Sequence, residues 1–468
     1  MSKKVDANGQ RKFGMIDKLA YAAGDFGCNM SFALKGTITI FWTQFIGIDE
    51  MAMAGLLLLV QVWDAINDPV IGAMIDADKR QYKRNKFLQY IHVGSIGLMV
   101  AGAACFLPVA GFPQFAKSLM FVAGYILWDA FYTIANVPYG SMLSLISNDP
   151  GDRAELSTFR SVGSMAGNML TGILLPILIY DAQSNLLGDR VFIIALVMGF
   201  IGFIFFQFMI KKTVIRVDTN IELSEEPQKF NVVQAAVRFF KNRAAVGATL
   251  APIGQFIGMY GASTANTVMW QAYFKNAQIS GLMMMIGYLP MFLFMPFIRK
   301  IVGKWGKKEA VTVGAIVTLI GYGLLLVLPI TPDAKGIAMW VAGQLIAGIG
   351  GGVLSCVSWS LMADAMDYGE WKFGVREEGT TYAVHSFFRK LAQGIGPSLG
   401  LVVATWAGYD AALKAAQPME VATTMRYVTA AFYVFSGLVQ FIGLVLVYNL
   451  DTKTLAKIQE DLAARKAK

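Results

Sequence analysis

Histidine occurs only twice in 468 residues, at His92 and His385, and cysteine three times, at Cys28, Cys105 and Cys356. The cysteines lie far apart, each in an apolar stretch, with neither metal-ligand spacing nor the density of a disulfide framework. They read as small packing residues. Charge is also scarce. Only 15% of residues are Asp, Glu, Lys or Arg, against about 25% in soluble domains. With 56% hydrophobic residues and a mean hydropathy of +0.52, the composition argues against a soluble enzyme and for a polytopic membrane protein. The charge that is present leans basic, with a formal net of +9. In a membrane protein such an excess belongs to cytoplasmic loops and requires no nucleic acid. The polar N-terminus lacks a short apolar core followed by small residues, so it is not read as a cleaved signal peptide.

Roughly twelve hydrophobic stretches reach the ~20 residues needed to span a bilayer. Their approximate limits are 18–47, 52–77, 87–109, 114–146, 156–181, 189–211, 245–274, 280–300, 309–330, 336–363, 380–408 and 424–449. The loop after the second stretch carries Lys79, Arg80, Lys83, Arg84 and Lys86, and the loop after the eighth carries Arg299, Lys300, Lys304, Lys307 and Lys308. Positive loops stay inside, which places both termini in the cytoplasm and the chain in the cell's inner membrane. The fold class is therefore an all-α membrane protein in two halves. The sequence divides into 1–212 with the cation site, a cytoplasmic central loop over 213–240, a second half over 241–450 and a cytoplasmic tail over 451–468 that reads as a short amphipathic helix. Such repeats commonly build transporters with a substrate site near the midplane.

Two aspartates stand in the second stretch. Asp64, Asn67 and Asp68 fall at i, i+3 and i+4 and share one helix face. Pro69 supplies no backbone donor and leaves the Ala65 carbonyl short of a partner. A charge near the bilayer centre costs at least ~2.5–3.5 kcal/mol, and two carboxylates on one face repel unless a cation or protons lie between them. The set suits Na⁺, or H⁺ taken up by a carboxylate; a structural ion pair with a basic residue of another helix is the plainer alternative. Asp129, Tyr132, Thr133 and Asn136 share a face of the fourth stretch. Thr133 could add a hydroxyl to the cation site, while Trp128 and Asn136 could stack on and hydrogen-bond a sugar. In the first stretch stand Asp25, Asn29 and the deep Lys35, which together with Asp129 are taken as candidate substrate-binding residues. Lys35 can neutralise Asp129 or an aspartate of the second stretch, receive an anionic substrate group, or snorkel outward. Arg160 opens the fifth stretch. The eleventh carries His385, a packing histidine rather than a proton shuttle, with Arg389 and Lys390 pointing about 100° apart, so one of the two faces the cavity. Asp364, Asp367 and Glu370 read as contacts with basic helix ends.

In order along the chain, Lys18-Leu-Ala-Tyr-Ala-Ala-Gly-Asp-Phe-Gly27, Trp63-Asp-Ala-Ile-Asn-Asp-Pro69, Tyr125-Ile-Leu-Trp128, Tyr132-Thr133, Asn136-Val-Pro-Tyr-Gly140 and Asp367-Tyr-Gly-Glu-Trp371 resemble the glycoside–pentoside–hexuronide:cation symporters, the melibiose permease group of the major facilitator fold. The resemblance implies twelve transmembrane helices, alternating access, and sugar uptake driven by Na⁺, Li⁺ or H⁺. It places Asp64, Asn67, Asp68 and Thr133 at the family's cation site. Asn29, Trp128, Tyr132, Asn136, Arg160, Trp359 and Lys390 fall at or near its sugar site. Asn29 and Asn136 are amides where the melibiose permease has aspartates, so its galactoside specificity does not carry over. Asp129 replaces a small residue there, and Lys35 has no placed counterpart.

The sequence thus describes a cation-coupled symporter for a sugar, glycoside or hexuronide, a monomer with membrane lipid as its surroundings and no catalytic residues or cofactor beyond the coupling ion. A second reading keeps the fold and exchanges the sugar for an amphipathic or lipid-like cargo. An intramembrane enzyme or a receptor finds little support in two histidines and scattered cysteines.

Overall fold

The computed structural model describes residues 11–78, 80, 82, 85–147, 150–216, 232–294, 297–374 and 378–466. These residues are mainly helical, and the chain divides into two compact units, Met1–Glu225 and Glu226–Lys468. The division falls inside the segment expected to be a central loop. Part of that segment is helical, since α8 (Val232–Lys241) opens the second unit.

The first unit holds α1 (Met15–Phe32), α2 (Lys35–Ile40), α3 (Glu50–Ala77), α4 (Lys86–Ala104), α5 (Gln114–Ile146), α6 (Pro150–Ile179) and α7 (Gly188–Lys212). Asp49 starts α3 by accepting from the Ala52 N–H at 2.8 Å, and Asn85 starts α4 by accepting from Phe87 at 2.8 Å. Each cap satisfies a backbone donor that the first helical turn leaves without a partner. Helix α3 continues through residue 69 despite Pro69. Helix α1 packs on α6 and α7, and α3 on α5. Glycine permits the first of these approaches. A Cβ at Gly27 would lie 2.9 Å from the Gly202 carbonyl oxygen, and one at Gly167 would lie 2.8 Å from Cβ of Asn29. Small residues at helix crossings bring backbones close in the way membrane bundles require.

The second unit continues with α9 (Arg243–Gly261), α10 (Ser263–Val268), α11 (Ser280–Phe294), α12 (Ile298–Trp305), α13 (Lys307–Val327), α14 (Ala334–Phe373), α15 (Glu378–Trp406), α16 (Met419–Phe441) and α17 (Thr452–Lys466). Helix α14 outruns the stretch expected to end at 363 and stops only at Gly374, whose φ of 74° ends the helix in the left-handed region. Its last turns find polar partners. Lys307 Nζ donates to both Asp364 carboxylate oxygens at 2.8 Å, and Trp371 Nε1 donates to Asp461 of α17 at 2.8 Å. The tail helix therefore docks, burying Ile458 and Leu462.

The two units repeat a detail that hydropathy does not reveal. In each, a long helix breaks, a six-residue helix follows, and a five-residue π-helical turn closes the element: α1, α2 and Phe41–Phe45 in one, α9, α10 and Met269–Tyr273 in the other. The turns match bond for bond. Ile46 N–H donates to Phe41 and Phe274 N–H to Met269, both at 3.0 Å; Ile48 donates to Trp42 and Asn276 to Trp270, both at 2.9 Å. Lys35 opens α2 where Ser263 opens α10. Among the described residues, seven helical stretches are long and apolar enough to cross a membrane: 86–104, 114–143, 155–179, 188–212, 307–327, 334–358 and 419–447.

Candidate functional site

Helices α3 and α5 bring two of the expected cation residues, Asn67 and Thr133, together. Asn67 is fully buried. Its Nδ2 donates to the Asp129 carboxylate at 2.9 Å, to the Asp129 carbonyl at 3.1 Å and to Thr133 Oγ1 at 2.8 Å. A carboxylate and a carbonyl only accept, so the amide nitrogen must face them. Asn67 Oδ1 then turns away and lies buried without a hydrogen-bond partner among the described residues, as does Trp63 Nε1 one turn earlier. Asp129 and Thr133 are themselves buried. Asp129, which the sequence assigned to the substrate, thus belongs to the same cluster as Asn67 and Thr133. The Asp68 backbone lies in α3, and its side chain is outside the described residues.

Lys35 reaches this cluster from the break in the first helix. Ala33 and Leu34 form a tightened turn in which the Leu34 N–H donates to Ser31 at 3.2 Å, and Lys35 follows as the first residue of α2. Lys35 Nζ stands 3.8 Å from Asp64 Oδ2. The rings of Phe32, Tyr125 and Trp128 surround it, with centroids at 5.7, 5.5 and 5.8 Å. Asp64 and Asp129 both act electrostatically on Lys35. At about 4 Å and an effective dielectric of ~20, an ion pair attracts with about 4 kcal/mol, of the order needed to hold such charges out of water. Trp128 is buried, and its Nε1 donates to Ser31 Oγ at 2.7 Å, which ties α5 to the end of α1.

A second, more accessible cluster lies along α1, α5 and α6. Arg160 Nε stands 3.7 Å from Asp25 Oδ1, and its guanidinium lies 4.9 Å from the Tyr139 ring centroid. Asn29 uses both amide atoms. Its Nδ2 donates to the Asp25 carbonyl at 2.8 Å and to Ser164 Oγ at 3.1 Å, while its Oδ1 accepts from Asn168 at 2.7 Å. Asn136 Oδ1 accepts from Cys28 Sγ at 3.8 Å, and Tyr132 packs its ring on Phe32 and Trp128. Asp25, Tyr132, Asn136 and Arg160 are all half-buried. Helix α5 carries members of both clusters, Asp129 and Thr133 of the buried one and Tyr132 and Asn136 of the accessible one.

The remaining site residues lie in the second unit. Lys390 is exposed on α15, and Trp359 lies on α14 with its side chain outside the described residues. His385 is buried, with Nδ1 2.8 Å from Thr249 Oγ1, as a packing histidine should be. Sequence reasoning gave no role to Ser31, Tyr125, Ser164 or Asn168. Arg160, Ser164 and Asn168 repeat at i, i+4 and i+8, a spacing that places all three on one face. The second unit also contains a cavity of about 130 Å³ whose wall includes Gln255, Trp270, Tyr288, Tyr322, Gln344 and Tyr433. Among the described residues, no charged side chain lines it.

Charged and amide side chains gathered on long apolar helices are an arrangement that membrane transporters use. The chain belongs to the family described as MFS/sugar transport protein, which matches residues 20–452. A similar chain is the uncharacterized symporter YjmB of Bacillus subtilis (strain 168), 29% identical over 86% of each chain. The glucuronide carrier protein homolog of Escherichia coli (strain K12) is 26% identical over 84% of each. The crystal structure of a D-xylose-proton symporter matches with a TM-score of 0.60, covering 94% of this chain and 98% of that one at 16% identity, and so shares the fold.

Proposed function

We propose that the protein is a cation-coupled symporter that takes up a sugar, glycoside or hexuronide by alternating access. It sits in the inner membrane with both termini cytoplasmic. Five further elements complete twelve spans: α1 with α2 and its π-helical turn, α3, α9 with α10 and its turn, α11 with α12, and α15. The coupling ion, Na⁺ or H⁺, is handled by Asp64, Asn67, Asp68 and Thr133, with Asp129 now beside them. The sugar is held by Asp25, Asn29, Tyr132, Asn136 and Arg160, with Trp128 behind; Trp359 and Lys390 remain separate substrate-binding candidates of the second unit.

The observation that carries this reading is the placement of both clusters on α5. Asn67 grips Asp129 and Thr133, and Tyr132 and Asn136 project from the same stretch of helix. A cation that reorganises the first pair turns or shifts the second. By linkage each ligand then raises the other's affinity by the same factor. The amides and the Asp25–Arg160 pair suit hydroxyl-rich cargo, and a glucuronide-carrying relative favours testing sugar acids beside neutral glycosides. The experiment is uptake in proteoliposomes of neutral glycosides and glucuronides under a Na⁺ or an H⁺ gradient. Accumulation of one of these sugars against its own gradient supports the reading. Movement of none of them under either gradient contradicts it.

A further inference from the structure

The Asn67–Asp129 cluster already has a cation at its half-buried edge. Lys35 Nζ stands 3.8 Å from Asp64 Oδ2 and shares its field with Asp129. The rings of Phe32, Tyr125 and Trp128 complete its surroundings, each turning electron-rich π density toward an ammonium. This is the environment of a counter-ion held in place. A substrate carboxylate reaching Lys35 would have to displace Asp64 and lie against the same electron-rich rings. The corresponding helix of the second unit opens with neutral Ser263 in place of Lys35. The lysine is therefore a feature of the unit that holds the paired aspartates and is not demanded by the broken-helix geometry.

From this geometry we propose that Lys35 is the resident cation of the coupling site. Its ammonium takes the charge position that Na⁺ would otherwise occupy beside Asp64, so the native protein binds no Na⁺ there and its transport is independent of Na⁺. The proposal rests on the symporter reading above and narrows it, since of the two coupling ions it excludes Na⁺. A latent Na⁺ site follows from the same residues. With the ammonium gone, the Asp64 carboxylate and, three residues on along α3, the Asn67 Oδ1 that has no hydrogen-bond partner among the described residues are hard oxygen ligands of the kind Na⁺ takes.

The test is equilibrium binding of ²²Na⁺ to the purified full-length protein, with choline chloride as the ionic control, in the native chain, Lys35→Gln, Lys35→Arg and Lys35→Gln combined with Asp64→Asn. The native chain and Lys35→Arg should show no saturable binding. Lys35→Gln should gain it, at least about tenfold tighter than any residual binding in the native chain, and the added Asp64→Asn should abolish it. Saturable Na⁺ binding by the native chain overturns the proposal even if no variant folds. A monodisperse Lys35→Gln protein that binds no Na⁺ overturns it as well. Counterflow of 4-nitrophenyl glucuronide by the native chain in the same preparation tests the transporter reading separately. Its absence counts against symport, whereas the ²²Na⁺ result alone decides the role of Lys35.

Discussion

Asn67 donates its side-chain amide to the Asp129 carboxylate at 2.9 Å, joining α3 to α5 inside the first unit. The bond sets one helix against the other where no water reaches. It also fixes which amide atom faces inward, and so which oxygen is left for an ion.

Replacing Asn67 by Ala should leave the Asp129 carboxylate and the Thr133 hydroxyl without this donor. Losing a buried hydrogen-bond partner costs about 1–3 kcal/mol, more for a charged group. The expected result is a clear fall in thermal unfolding temperature in detergent, read by near-UV circular dichroism. Asn67→Asp should be worse than Asn67→Ala, because it sets a second carboxylate against Asp129. An Asn67→Asp protein as stable as the native chain would show that Asp129 does not need the amide.

Gly167 should tolerate no larger residue. A Cβ there would stand 2.8 Å from that of Asn29, so Gly167→Leu should push α6 away from α1 and pull Ser164 and Asn168 off the Asn29 amide. Sugar affinity, measured as the half-saturating concentration for counterflow, should weaken by about tenfold or more, as losing two polar contacts implies. Unchanged affinity would place Asn29 outside the sugar site.

The loop after α3 provides a pH test. Asp78 is held well below the usual carboxylate range, first by the Arg80 guanidinium and then by the Tyr82 hydroxyl; Arg80 Nε lies 2.9 Å from Oδ1 and Tyr90 OH lies 2.8 Å from Oδ2. A depressed folded value means that the stabilisation is present above the unfolded ~3.9 of an aspartate and is lost as pH falls through the folded value. Cleavage after Arg80 by an arginine-specific protease should therefore be slow at neutral pH and accelerate several-fold in Asp78→Asn. Equal cleavage of the two proteins would deny the clasp.

Much of the site could be read in the chain before folding, because its members share single helices. Asp64 with Asn67, and Asp129 with Thr133, are each set on one helix face by helical spacing alone. What could not be read were meetings between helices. Nothing in the spacing says that Ser31 meets Trp128 or that Asn168 meets Asn29, since those contacts depend on how closely glycines let α1 approach its neighbours. The break before Lys35 was hidden too. It falls at Ala33 and Leu34, with neither Pro nor Gly to mark it, yet it determines where the ammonium points. Asp129 was assigned to substrate because its helix face is shared with Tyr132 and Asn136; only the position of Asn67 on α3 reveals the cluster it joins.

The central claim, that the buried cluster couples an ion gradient to sugar movement, is tested most directly by Asp64→Asn in proteoliposomes. Gradient-driven accumulation and gradient-free counterflow of the same sugar would be measured side by side. The account predicts that accumulation is lost while counterflow persists, because the sugar cluster on α1, α5 and α6 is left intact. Undiminished accumulation in Asp64→Asn would contradict it.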